Sequence, residues 1–139
     1  MSNFIIEIKD LKKTYKHSNG NILLFDKLNI KIKKGDLVAL VGPSGSGKSS
    51  LLHLLALLDE PSKGNIKIDN ILVNKLKDDE KDEVRREKIS IIFQDNNLLN
   101  DFTAIENVMM PLLIKNINQE QAKNEAKKIL KSVKILERS

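Results

Sequence analysis

Apolar positions change their period several times along the chain, and each change predicts an element. Phe4 to Ile8 (FIIEI) forms a first strand that ends at Asp10. Leu28 to Ile32 (LNIKI) alternates apolar with polar, the pattern of a half-buried antiparallel strand. After the turn Lys33-Lys34-Gly35-Asp36, residues Leu37 to Val41 are apolar throughout, as in a strand covered on both faces within a parallel sheet. From Lys48 onward, Leu51, Leu54, Leu55 and Leu58 mark one helical face, which Leu52 and Leu57 widen until the whole helix is expected to be mostly buried. The breakers Asp59 to Gly64 (DEPSKG) end it, and two short strands are predicted between Asn65 and Val73, around Asp69-Asn70.

Beyond this point the chain turns polar. Asp78 to Lys88 (DDEKDEVRREK) predicts a solvated helix whose single apolar residue is Val84, and Ile89 to Phe93 predicts another buried strand. Thr103-Ala104-Ile105-Glu106 fits a capping box with Thr103 as N-cap, so a helix should start there and run to about Met110, before Pro111. A second box, Asn118 to Gln121, opens a helix with Ala122, Ala126, Ile129, Leu130 and Val133 on one face. The order of elements predicts an α/β nucleotide-binding plan: an antiparallel β subdomain, a parallel core sheet, then the start of a helical subdomain. No internal repeat or low-complexity linker divides it.

Composition narrows the setting. The chain is 40% hydrophobic and 31% charged, which is globular rather than disordered. It has no cysteine, so disulfides and thiolate metal sites are excluded, in keeping with a reducing compartment. The net charge of +5 comes mostly from scattered lysines; with aromatics at 4% and no basic stretch interleaved with them, nucleic-acid binding is not expected. A mild positive field suits an anionic ligand or a place beside acidic lipid. The start, MSNFIIEIKDLKK, carries acidic residues within its apolar part and no small-residue cleavage site, unlike a signal peptide. The longest apolar run, Leu51 to Leu58, is too short to cross a bilayer and contains His53, so an intracellular chain is expected.

The candidate chemistry lies in VALVGPSGSGKSSLL. Gly42, Pro43, Ser44, Gly45, Ser46, Gly47, Lys48 and Ser49 satisfy G-x-x-x-x-G-K-S at every fixed position, between a predicted strand and an amphipathic helix. Glycines permit backbone conformations in which successive N–H groups point inward around a phosphate, and the helix beginning at Lys48 adds the positive end of its dipole. Lys48 is placed for the β- and γ-phosphates, the Ser49 hydroxyl for Mg²⁺, and Ser50 for a phosphate oxygen. A GTPase would carry N-K-x-D, and the nearest stretch, Asn74-Lys75-Leu76-Lys77, has lysine where aspartate is needed. A small nucleotide kinase usually opens with this loop, whereas about forty residues precede it here.

These residues resemble the ATP-binding subunits of ABC transporters. The resemblance implies that Tyr15, in LKKTY, stacks on adenine, and that Gln94, in ISIIFQD, is the glutamine that contacts Mg²⁺ and the attacking water. The rival for the second stretch is a Walker B strand ending at Asp95, but there the aspartate directly follows the apolar run, and here Gln94 takes that place. LLHLLALLDEPSKG and NNLLNDFTAIENVMMPLLI further resemble the lipoprotein-releasing branch of Gram-negative bacteria. In that branch a dimer of the subunit, at the cytoplasmic face of the inner membrane, powers membrane-spanning permease subunits. The segment Asp95 to Leu113 is where such subunits meet the permease, with Leu98, Leu99, Phe102, Met109 and Met110 either supplying contacts there or belonging to the core. His53 is expected to be a packed side chain, and His17 carries no signal.

The resemblance covers all of residues 1–139, but only the N-terminal part of the family's domain. No L-S-G-G-Q signature, D-E Walker B end or later switch histidine occurs before Ser139. The expectation is therefore a partial ATP-binding domain with phosphate-binding groups and no catalytic base, completed by sequence elsewhere or, alternatively, a non-hydrolysing remnant. With the neighbours of Leu37–Val41 lying outside the chain, marginal solubility is expected when it is made alone.

Overall fold

A computed structural model describes residues 3–18, 20–95 and 97–135. Two strands far longer than the patterns predict dominate its first part: β1 (Phe4–His17) and β2 (Gly20–Lys33). With β3 (Lys63–Ile68) and β4 (Ile71–Leu72) they make one sheet of order β2-β1-β3-β4, antiparallel at every step. β1 lies inside the sheet, and its Ile8 and Leu11 are buried, as are Ile66 and Ile68 of β3. The alternation of β1 is not visible past Ile8 because its register slips between Ile8 and Leu11. Asp10 sits there at φ 50°, its N–H donating to Asn29 Oδ1 at 3.0 Å, while Asn29 Nδ2 donates to the Lys27 carbonyl at 2.8 Å. One extra residue shifts every later side chain to the other face.

The turn between β3 and β4 is formed by Asp69 and Asn70, both at positive φ, in a two-residue hairpin with Ile68 opposite Ile71. Asn74, in the 3₁₀ turn Val73–Lys75, locks β3 by accepting from the Ile66 N–H at 2.6 Å and donating to the Gly64 carbonyl at 3.1 Å.

Four α-helices complete the described residues: α1 (Lys48–Leu55), α2 (Asp78–Lys88), α3 (Ala104–Ile114) and α4 (Gln119–Ser132). The predicted parallel core sheet does not form among the described residues. Leu37–Val41 and Ile89–Phe93 have no regular structure, and Leu37, Val41 and Ile92 are almost fully exposed. A strand needs neighbours to satisfy its N–H and C=O groups, and nothing described here supplies them to either run. α1 is correspondingly buried on one side only, at Leu51 and Leu54, with Leu52 exposed and His53 exposed too rather than packed as expected; Leu58, beyond its end, is also exposed. It stops at Leu55 rather than Leu58, because Leu57 takes a left-handed conformation and the Leu58 N–H reaches back to the His53 carbonyl at 2.9 Å. α2 matches its predicted span and buries Val84.

The chain divides into two compact units, Met1–Arg85 and Arg86–Ser139. In the second, Met109 packs with Ala122 and Ala126, flanked by Ile105, Val108, Leu112 and Ile117. This packing carries α3 through Pro111 to Ile114, past the predicted stop at Met110; proline removes one helical hydrogen bond but leaves the apolar seam with α4 intact. Of the predicted α4 face, Ala122, Ala126 and Leu130 are buried, whereas Ile129 and Val133 are exposed. Residues 136–139, predicted to continue this helical region, lie outside the described residues.

Both predicted caps form. The Asn118 side chain accepts from the Gln121 N–H at 2.9 Å. Thr103 accepts from the Glu106 N–H at 3.3 Å, and Glu106 Oε2 accepts from the Thr103 N–H at 2.8 Å. Those bonds from the Thr103 N–H and hydroxyl hold the Glu106 carboxyl below its ordinary value. Thr103→Ala should therefore lower helix stability by about 1 kcal/mol, read as a shifted urea midpoint at unchanged slope. A shift under a quarter of that would show the cap to be dispensable.

Candidate functional site

The glycine loop lies on the first unit, between the irregular run ending at Val41 and the first turn of α1. Gly45 and Gly47 have φ of 79° and 89°, in the left-handed region that side chains with a Cβ avoid. Gly47 is the N-cap of α1 and makes no side-chain cap, so the N–H groups of the first helical turn are left for another acceptor. The first turn holds no acidic residue to compete with an anion. A Cβ at Gly47 would lie 2.9 Å from Phe25 Cζ, so the ring of β2 presses directly on the loop. Ser46 N–H donates to the Pro43 carbonyl at 3.3 Å, which closes the turn.

Lys48 folds back over this loop. Its ammonium donates to the carbonyls of Gly42 at 2.9 Å and Pro43 at 2.6 Å, placing the positive charge beside the left-handed glycines. Ser49 is exposed and Ser50 half-buried on the first turn of α1; Ser44 is exposed within the loop. Among the described residues no group of three or more His, Asp or Glu side chains could hold a metal. A metal here would be held through a hydroxyl such as Ser49 together with ligand oxygens, which suits Mg²⁺, a hard ion that prefers few protein ligands.

Tyr15 lies on β1 opposite Ile22, and its hydroxyl donates to Asp59 Oδ2 at 2.6 Å. The other carboxylate oxygen accepts from Lys13 Nζ at 2.6 Å and from the Glu60 N–H at 2.7 Å. Burial tends to raise the Asp59 carboxyl, but Lys13, Tyr15 and the Glu60 N–H together outweigh it and hold the group below its ordinary value. Lys13 also donates to the Glu60 carbonyl at 2.7 Å and lies 4.5 Å from the centre of the Tyr15 ring. Lys13 lies in LKKTY and Asp59 in LLHLLALLDEPSKG, stretches that carry the family resemblance, but neither residue is given a role by it. Lys13 shares a strand face with Tyr15 at a spacing of two; Asp59 is distant in sequence, inside a turn that reads as a helix breaker and as part of the family resemblance, with nothing local to pair it with Lys13 or Tyr15.

Gln94 lies on the second unit, exposed in a bend. Of the apolar residues considered for partner contact, Leu98, Leu99 and Phe102 are exposed, Met110 is half-buried, and Met109 belongs to the α3–α4 core; Asn96 of this segment is outside the described residues. Asn107 organises the segment, its Nδ2 donating to the carbonyls of Leu99, Phe102 and Thr103 at 3.0–3.1 Å and its Oδ1 accepting from the Leu99 N–H at 2.9 Å. No described helix is long and apolar enough to cross a membrane.

Comparison with known proteins places this geometry. Residues 25–139 match the family described as ABC transporter. A lipoprotein-releasing system ATP-binding protein of Rickettsia bellii is 45% identical over 133 residues, which cover 96% of this chain and 58% of that protein. The uncharacterized ABC transporter ATP-binding protein MJ0796 of Methanocaldococcus jannaschii is 41% identical over 133 residues, 96% of this chain and 57% of that protein. The dimeric structure of the MJ0796 cassette bound to ADP and Pi superposes with a TM-score of 0.83, covering 91% of this chain and 56% of the other. The chain thus spans a little over half the length of these relatives. Its sequence is similar to theirs over nearly all of its own length, its backbone to that of the MJ0796 cassette, and the chain belongs to the ABC transporter family.

Proposed function

We propose that this chain is the ATP–Mg-binding portion of an ABC transporter ATPase subunit that drives export, of the lipoprotein-releasing class. The observation that carries the reading is the loop from Gly42 to Ser49: Gly47 in the left-handed conformation caps α1, and the Lys48 ammonium lies over the loop backbone. Gly42, Pro43, Ser44, Gly45, Ser46 and Gly47 supply the wrapping backbone, and Lys48 exchanges its carbonyl partners for β- and γ-phosphate oxygens. Ser50 donates to a phosphate oxygen, and Ser49 holds the metal. When bound, Mg²⁺ offsets the phosphate charge. Tyr15 provides a stacking face for adenine, giving affinity with loose base choice because stacking reads only the π-face. The role of Gln94 at the metal rests on its place in ISIIFQD.

The export class is supported by the Rickettsia bellii relative, a lipoprotein-releasing system ATP-binding protein by name. The partners are a second ATP-binding subunit, as in the dimeric MJ0796 cassette, and membrane-spanning permease subunits, which this chain meets at the cytoplasmic face of the inner membrane. Leu98, Leu99 and Phe102 offer apolar contacts for the latter.

Calorimetric titration tests the reading. The 139-residue chain should bind MgATP and magnesium pyrophosphate, and Lys48→Ala should weaken both by about 10- to 100-fold, the worth of hydrogen bonds to a charged group. Unchanged affinity in Lys48→Ala would remove the loop from the site.

A further inference from the structure

The Lys13–Asp59 pair is unusual for its setting. Lys13 is only 6% exposed, and a buried lysine persists only where its charge is matched. The pair is not needed to fasten the DEPSKG turn to β1. Backbone and serine bonds do that already: the Ser62 N–H donates to the Lys12 carbonyl at 2.8 Å, and the Thr14 N–H donates to Ser62 Oγ at 3.0 Å. The distinct action of the pair falls on Tyr15. A tyrosine on a strand has two soft torsions; Asp59 fixes the far end of the ring through the hydroxyl, and the Lys13 ammonium rests over one face. Tyr15 nevertheless stays 37% exposed.

We propose that Lys13 and Asp59 are positioning residues for the nucleobase, clamping the Tyr15 ring by hydroxyl and by face so that its other face is preset for stacking. The inference rests on the nucleotide-binding reading above. Presetting the ring removes the ordering cost that a mobile side chain would charge against binding. Asp59 also follows closely on the end of α1, so the clamp ties the base platform to the helix that begins at the phosphate loop. Because the hydroxyl is engaged by Asp59, the ring selects a base by stacking and leaves the base edge unread.

Tyr15 is the chain's only tyrosine, and there is no tryptophan, so phenol fluorescence reports this ring alone. MgATP should quench it, and magnesium pyrophosphate should not. Asp59→Asn and Lys13→Met should each weaken MgATP by about 3- to 10-fold, the scale of an aromatic contact, and leave pyrophosphate within about 2-fold. By calorimetry, Tyr15→Phe should match Asp59→Asn, and the double variant should lose no more than either. Tyr15→Phe deletes only one oxygen, so it carries the test if Asp59→Asn does not fold. Equal losses for the two ligands, additive losses in the double variant, or unchanged MgATP affinity would overturn the clamp. Loss of both probes in Lys48→Ala beside any of those results would leave the phosphate loop standing and sink the clamp alone. A wild-type chain that binds neither probe would sink the nucleotide-binding reading and the clamp with it.

Discussion

Gly64→Ala is expected to destabilise the sheet-bearing unit far more than the same change at Gly35 or Gly47. Gly64 has φ of 90°, and an added Cβ would lie 2.4 Å from the Asp10 carbonyl oxygen and 2.6 Å from Leu11 Cα. Both obstacles are backbone, at the slip in β1's register, and β1 is bonded to β2 on one side and β3 on the other. Neither strand can yield without breaking a ladder. Left-handed strain of about 1–2 kcal/mol and overpacking of about 1–3 kcal/mol sum to a large share of the roughly 5–15 kcal/mol that holds a domain together. Gly35→Ala is the control, with a φ of 88° and nothing within 4 Å. It should show the strain alone. Equal urea midpoints for the two variants would mean that the contact at Gly64 is relieved at no cost.

Gly47→Ala should damage both folding and phosphate binding. At φ 89° an alanine pays about 1–2 kcal/mol of strain, and its Cβ meets the Phe25 ring at 2.9 Å. The ring is a side chain and can swing away; the backbone angle cannot relax without turning the N–H groups of the loop out of line. The two causes separate in a double variant. Phe25→Ala in the Gly47→Ala background should remove the clash, while affinity for magnesium pyrophosphate stays at least about tenfold below wild type, as for a lost charged hydrogen bond. Full recovery of affinity would place the defect in the clash and leave the glycine's conformation without a role.

Much of the site was legible because its residues act locally. The loop, its lysine and the following helix are contiguous, and their chemistry follows from spacing. Both helix caps were legible for the same reason, each spanning four residues. What escaped the sequence was decided at a distance. The bulge at Asp10 depends on Asn29 across the hairpin, and it hides the phase of the longer strand. Lys13 and Asp59 meet only because the turn after α1 returns to β1. Helix ends show the limit clearly: α1, α3 and α4 all close with a left-handed residue and a bond reaching back five positions, at Leu57, Asn116 and Lys134. Only asparagine advertises that conformation. The runs Leu37–Val41 and Ile89–Phe93 are apolar enough to predict buried strands, yet a strand is a property of its neighbours as much as of itself.

The exposed run Leu37–Val41 bears on the loop it leads into. Gly42 to Ser49 is anchored downstream by Leu51 and Leu54 of α1 and joined upstream to a segment with no regular structure. Its protection against amide exchange should therefore be graded, high along α1 and falling toward Gly42. Such a gradient would mean that a bound phosphate orders the glycine half of the loop more than the helix half, and so draws part of its binding energy from one end alone.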